Sequence, residues 1–108
     1  MAENIKVRTV AHVVFEGFMT LDMYGPVQAF ASCRVPDGDG GWLRYFNQFT
    51  MGDTATGMKS GEGPTTTADY CFEDAPDYDI LLIPGGFGTR AVVSDDALLK
   101  KIVAMSAK

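Results

Sequence analysis

The stretch Asp79 to Arg90, DILLIPGGFGTR, constrains the fold of this 108-residue chain more than any other. Four apolar residues, Ile80, Leu81, Leu82 and Ile83, run without alternation and end at Pro84. A short unalternating aliphatic run suits a strand covered on both faces, in the middle of a mostly parallel sheet. Glycines follow at once. Gly85, Gly86 and Gly88 allow positive φ and close backbone approach, so the strand should open into a loop whose amides face a ligand or an oxyanion. In open α/β sheets the carboxyl edge of the strands is where sites form.

The chain before it supplies the partners for such a strand. Val7 to Phe15 is rich in β-branched residues and reads as a first strand, buried in its second half, with His12 as a packed, hydrogen-bonded histidine. Glu16 to Phe18 turn the chain, and Thr20 or Asp22 can cap a helix running to about Cys33. Pro26 is tolerated only in a first helical turn, so the regular helix is expected from Tyr24 or Gly25, with Leu21 to Met23 in an entry turn. Asp22 would then stand at the carboxyl end of strand one, on the same sheet edge as Gly85 and Gly86 if the strands are parallel.

Between these landmarks the signals are shorter. Val35 to Gly41 reads as a turn-rich, mobile loop, and Trp42 to Met51 as a strand with one exposed face. Gly52 to Gly63 suggests short strands and hairpin turns, Pro64 to Thr67 another short strand, and Asp69 to Pro76 a connection carrying Cys71 and Phe72 towards the core. After the glycine loop, Ser94 or Asp95 caps a final helix with an apolar stripe of Leu98, Leu99, Ile102, Val103 and Met105. A crossover helix needs a further parallel strand to receive it, so the ending at Lys108 reads as an interruption.

Composition narrows the function classes. The length fits one modest core, and 46% hydrophobic with 21% charged residues is a folded-domain balance. A net charge of -5 with no Lys/Arg cluster argues against nucleic-acid and anionic-membrane partners. The N-terminus lacks a signal-peptide pattern and no apolar run reaches the roughly 18 residues of a membrane span, so a cytoplasmic location is expected. Cys33 and Cys71 lack CxxC spacing and a nearby histidine, so neither zinc nor a disulfide is expected.

One constellation carries chemistry. Asp22 facing the amides of Gly85 and Gly86 could hold or relay a proton for a reaction whose developing anion those amides stabilise. The plainer alternative is that Asp22 caps its helix and the glycines only make a turn. Gly86, Gly88 and Ala91 satisfy GxGxxA, but this dinucleotide signature normally follows a first strand and needs an acidic residue about 20 positions on, so no cofactor is expected. Ser60 and Thr65 to Thr67 offer hydroxyls without a paired histidine, which leaves a serine hydrolase unsupported.

Two segments, FEGFMTLDMYGPVQAF from Phe15 to Phe30 and DAPDYDILLIPGGFGTR from Asp74 to Arg90, together resemble the N-terminal half of the ThiJ/PfpI superfamily. The resemblance is greatest to its isonitrile hydratase branch and to the sensor domains of certain AraC-type regulators. It implies a class I glutamine amidotransferase-like, flavodoxin-like α/β sandwich, of which residues 1–108 form a single incomplete domain. It further implies that Asp22 is the acid beside a catalytic cysteine and that Gly85 and Gly86 supply backbone donors. Glu16 stands where the branch often has proline, and either brings a second carboxylate to the pocket mouth or faces water. Neither Cys33 nor Cys71 matches the family's nucleophile, which follows the last helix seen here. The resemblance therefore implies a cysteine-dependent lyase acting on a small-molecule substrate, completed by a companion chain carrying the C-terminal half, with a homodimer as the other partner. Alternatives are a ligand-sensing domain and a non-functional truncated product.

Overall fold

A computed structural model describes residues 6–86 and 96–106. The chain runs β1 (Arg8–Val13), α1 (Thr20–Ala31), β2 (Arg34–Pro36), β3 (Trp42–Arg44), β4 (Phe46–Gly52), β5 (Gly57–Lys59), β6 (Thr65–Thr67), β7 (Tyr70–Cys71), a 3₁₀ turn at Phe72–Asp74, β8 (Ile80–Leu82) and α2 (Asp96–Ser106). Four strands form a parallel sheet in the order β7-β4-β1-β8. This is a flavodoxin-like α/β arrangement, and β1 lies inside it.

The apolar run after Thr9 explains that central place. Val10, Ala11, His12 and Val13 are each exposed by 1% or less, so both faces of β1 are covered. Val14, Phe15, Phe18, Met23, Met51, Phe72 and Ile102 continue the same core. His12 is hydrogen-bonded as expected: its Nε2 lies 2.8 Å from Gln48 Oε1, while Gln48 Nε2 donates to the Val27 carbonyl at 3.0 Å. Because the Gln48 amide nitrogen is already the donor to Val27, its oxygen faces histidine and the proton sits on Nε2. This buried histidine and its half-buried glutamine partner thus tie β1, β4 and α1 together.

The strand at Ile80 forms, but its place differs from the sequence expectation. β8 pairs with β1 through Val10↔Ile80, Ala11↔Leu81 and His12↔Leu82, and no described strand lies on its other side. Ile80, Leu81 and Leu82 are only half-buried and Ile83 is 50% exposed. The composition is that of an inner strand; the described residues cover only one edge of it.

Other differences have local causes. The strand expected over Trp42 to Met51 breaks at Tyr45, with β3 pairing back onto β2 and β4 entering the main sheet. The loop expected to be mobile is the tip of that hairpin. Asp37 Oδ1 accepts the amides of Asp39 and Gly41 at 2.7 and 3.0 Å, and Gly38 and Gly40 turn the chain at positive φ. β5 and β6 form the second hairpin, where short strands were expected. α1 begins at Thr20 rather than Tyr24, so Pro26 lies inside the helix.

In α2, Ile102 enters the core at 6% exposure, whereas Val103 is 59% exposed and falls outside the expected stripe. Adjacent helical residues point about 100° apart, so a helix packing one face buries only one of the two. Lys101 Nζ meets Asp53 Oδ1 at 2.6 Å and Glu73 Oε1 at 3.5 Å beside it. The expected cap at Ser94 or Asp95, Gly88 and Ala91 of GxGxxA, and the side chains of Leu98 and Met105 lie outside the described residues. No helix among those residues is long and apolar enough to cross a membrane.

Candidate active site

Strand order places the site. From β1 the chain passes through α1 to β4 on one side, and β8 adds on the opposite side of β1. The loops leaving β1 and β8 therefore part across the point where the winding reverses, which is where α/β sheets open a crevice at the strands' carboxyl ends. Asp22, Gly85 and Gly86 all lie there.

Asp22 does not cap its own helix. The N-cap position is Met19, which has no side-chain cap bond, and Asp22 sits in the first turn, where the helix dipole favours a carboxylate. Its Oδ2 instead accepts the backbone N–H of Gly85 at 3.2 Å. Gly85 returns the contact through its carbonyl, which accepts the Met19 amide at 2.8 Å. A two-way clasp thus joins the end of β8 to the start of α1. Asp22 itself is exposed, so this carboxylate is both anchored and reachable. The Gly85 amide, expected from sequence to face an oxyanion, is engaged with the carboxylate.

Gly86 is fixed by space as well as by conformation. It holds φ +128°, and a Cβ there would stand 2.5 Å from the Gly17 oxygen and 2.6 Å from the Met19 nitrogen. A side chain at Gly85 would meet Asp22 Oδ2 at 3.0 Å. The two glycines allow the β8 loop to lie against the β1 loop with nothing between them.

The far wall of the β1 loop is held by residues that the sequence pattern did not single out. Gly61 N donates to the Phe18 carbonyl at 2.9 Å, Gly17 N to the Lys59 carbonyl at 2.8 Å, and Thr20 N to Glu62 Oε1 at 2.7 Å. Glu62 thereby satisfies an orphan donor of α1 from 42 residues away, and this hydrogen bond from the Thr20 amide lowers its carboxyl pKa. Glu16, already singled out in the sequence, ties the β1 loop to β5, its Oε1 accepting the Lys59 amide at 3.2 Å. The only sequence signal for Glu62 is its place in the turn Ser60 to Gly63, between two short strands.

No nucleophile adjoins Asp22 among the described residues. Cys33 follows the far end of α1, about 16 Å along the axis at 1.5 Å per residue. Cys71 lies in β7, three strands from β8, about 14 Å across the sheet. Ser60 is buried at 5% exposure. The described residues contain no group of three or more His, Cys, Asp or Glu placed to hold a metal ion.

No protein-family model matches the sequence, and no curated protein matches it. Solved structures do. A ThiJ/PfpI family protein from Pseudomonas syringae aligns at TM-score 0.78 and 24% identity, over 96% of this chain and 40% of that one. A variant of a DJ-1 superfamily protein from Salmonella typhimurium aligns at 0.71 and 14% identity, over 94% of this chain and 51% of that one. Oxidized DJ-1 from Toxoplasma gondii aligns at 0.63 and 13% identity, over 94% and 51%. The chain has the fold of the N-terminal half of ThiJ/PfpI and DJ-1 superfamily proteins, and spans about half or less of their length.

Proposed function

We propose that this chain forms one wall of a cysteine-dependent active site of the ThiJ/PfpI type, with an isonitrile hydratase-like lyase as its chemistry. The nucleophilic cysteine and the strand that flanks β8 are supplied by a C-terminal half, in the same polypeptide or in a companion chain. The observation that carries this reading is the anchored, exposed carboxylate of Asp22 at the switch point of the sheet, bonded to the Gly85 amide at 3.2 Å. The inner-strand composition of β8, with one edge unpaired among the described residues, supports the missing neighbour.

In this mechanism the cysteine thiolate attacks the terminal carbon of an isonitrile, R–NC, and the carbon takes a proton to give an enzyme-bound thioimidate, R–N=CH–S–enzyme. Water then adds to that carbon and the C–S bond breaks, with release of the thiolate and the formamide R–NH–CHO. Asp22 holds the proton passed to carbon in the first half and accepts one from water in the second. The Gly85 amide keeps the carboxylate turned into the crevice throughout.

The test is formamide production by the chain extended through the coding sequence that follows it, compared with its Asp22→Asn variant. Asparagine preserves the acceptor oxygen for Gly85 and removes proton transfer, so turnover should fall about 10²–10⁴-fold while the fold is retained. Turnover within threefold of the unmodified enzyme, roughly 0.7 kcal/mol, contradicts a role for Asp22 in proton transfer.

A further inference from the structure

The β2–β3 hairpin sets two like charges directly opposite one another. Its register pairs Arg34 with Arg44, Val35 with Leu43 and Pro36 with Trp42. The backbone bonds at its ends, Tyr45 N to the Cys33 carbonyl at 3.0 Å and Asp37 N to the Gly41 carbonyl at 3.1 Å, fix the alternation. Arg34–Arg44 and Pro36–Trp42 are therefore non-hydrogen-bonded pairs, the kind whose Cα atoms stand about 4.5 Å apart and whose side chains lie closest. Pro36, which has no N–H to give, fits such a position.

Burial separates the two faces of the hairpin. Val35 and Leu43 are half-buried, whereas Arg34, Pro36, Trp42 and Arg44 are all exposed, Trp42 by 66%. Like charges directly opposite on one face destabilise a strand pair. No acidic side chain relieves them: among the described residues the ion pairs are those of Lys101 with Asp53 and Glu73. The hairpin's own acids lie at its tip, where Asp37 Oδ1 accepts the amides of Asp39 and Gly41, about 10 Å along the strand from Arg34. A third exposed arginine, Arg8, reaches the same end of β3, its amide bonded to the Tyr45 carbonyl at 3.0 Å. These cations stand on a chain of net charge -5.

Guanidinium forks match carboxylates, and arginine and tryptophan are the side chains that dominate interface hot spots. Four exposed residues on a two-stranded face offer no enclosure for a small molecule. A nucleic acid carries a charge at every nucleotide and calls for a longer basic track than this acidic chain provides. A short acidic segment needs only a carboxylate across the arginine pair and an apolar side chain on the Trp42–Pro36 step. We infer that the outer face of the β2–β3 hairpin docks an extended acidic segment of a partner protein, with its carboxylates on Arg34 and Arg44 and an apolar side chain on Trp42 and Pro36. The surface lies at the amino ends of β1 and β4, the sheet edge opposite the Asp22 crevice, and rests on none of the proposed thiol chemistry.

The experiment follows the fluorescence anisotropy of a labelled Glu-Glu-Leu-Glu-Glu peptide titrated with the full 108-residue chain, beside its Gln-Gln-Leu-Gln-Gln counterpart. Trp42 is the single tryptophan of the chain, so its emission reports whether the unlabelled peptide lands on the hairpin. Saturable binding of the glutamate peptide, about tenfold tighter than the glutamine peptide and weakened by about 0.5 M salt, is expected, with a change in Trp42 emission at the same midpoint. Arg34→Gln and Arg44→Gln should each weaken it about threefold or more without lowering the urea midpoint, because either removes the repulsion between the strands. Arg34→Glu combined with Arg44→Glu should transfer the preference to a Lys-Lys-Leu-Lys-Lys peptide. No saturable binding, equal binding of the glutamate and glutamine peptides, affinity unmoved by the arginine variants, or unchanged Trp42 emission overturns the proposal. So does tighter binding of a short oligothymidylate, which would assign the face to single-stranded nucleic acid, or a Trp42 emission that shifts with protein concentration alone, which would assign it to a second copy of the chain.

Discussion

Replacing Gly86 with alanine tests how tightly the two loops of the crevice are fitted. Gly86 holds φ +128°, a region that L residues leave to glycine, and holding a side chain there costs about 1–3 kcal/mol. The added Cβ would also stand 2.5 Å from the Gly17 oxygen, 2.6 Å from the Met19 nitrogen and 2.9 Å from the Phe18 carbonyl carbon. All three are backbone atoms, so no rotamer change relieves the overlap; the loop must shift, at a further cost of about 1–3 kcal/mol. Together this is about 2–6 kcal/mol, a large part of the roughly 5–15 kcal/mol that holds a domain folded. Gly38→Ala isolates the conformational part, because Gly38 has φ +90° but nothing within 4 Å of its Cβ position, and it should cost about 1–2 kcal/mol. Urea unfolding reads both variants. Gly86→Ala should lower the midpoint by roughly 1–4 M or abolish the transition, and Gly38→Ala by about 1 M or less. A Gly86→Ala midpoint within about 0.5 M of the unmodified chain, or equal losses in the two variants, refutes the close approach of the loops.

Burial lowers the pKa of His12 from 6.5, against the opposing effect of its hydrogen bond to Gln48. The unfolded chain therefore takes up a proton that the folded chain refuses, so this contribution to stability is present above about pH 6.5 and is lost as pH falls towards the depressed folded value. Denaturation midpoints measured from about pH 7 to 5 should fall less steeply in His12→Gln than in the unmodified chain. Ile102→Ala, at a core position of α2, should cost about 2–5 kcal/mol, whereas Lys101→Met should shift the midpoint little, and not at all in about 1 M salt, because its partners Asp53 and Glu73 lie at the surface. Asp22→Ala should speed hydrogen exchange at the Gly85 amide about tenfold, as expected for loss of a charge-assisted acceptor.

The parts of this fold that sequence made legible are those specified by short-range pattern. The apolar runs at Val10 to Val14 and Ile80 to Leu82 announced the two strands on either side of the crevice, and the loop residues after each followed from strand direction. Asp22 and Gly85 meet because parallel strands put their carboxyl ends on one edge. What stayed hidden depends on distant partners. Glu62 bonds Thr20 across 42 residues and Glu16 bonds Lys59 across 43, and neither spacing leaves a periodic signal. The start of α1 at Thr20 has the same cause. Pro26 argued for a late start on local grounds, but the amides of Met19 and Thr20 find acceptors in Gly85 and Glu62, and Met23 is buried, so tertiary contacts hold the first turn. β8 is half-buried because the described residues pair only one of its edges, and which edges are paired is not written in its own composition.

The central claim is that this chain carries the proton-handling wall of a site whose nucleophile comes from elsewhere. The direct measurement compares formamide production from an isonitrile by the isolated 108 residues and by the same chain extended through the sequence that follows it. The account predicts turnover only in the extended protein, abolished when the cysteine of its strand-to-helix elbow is changed to serine. Undiminished turnover by the isolated chain, or an extended protein that has no such cysteine, contradicts it.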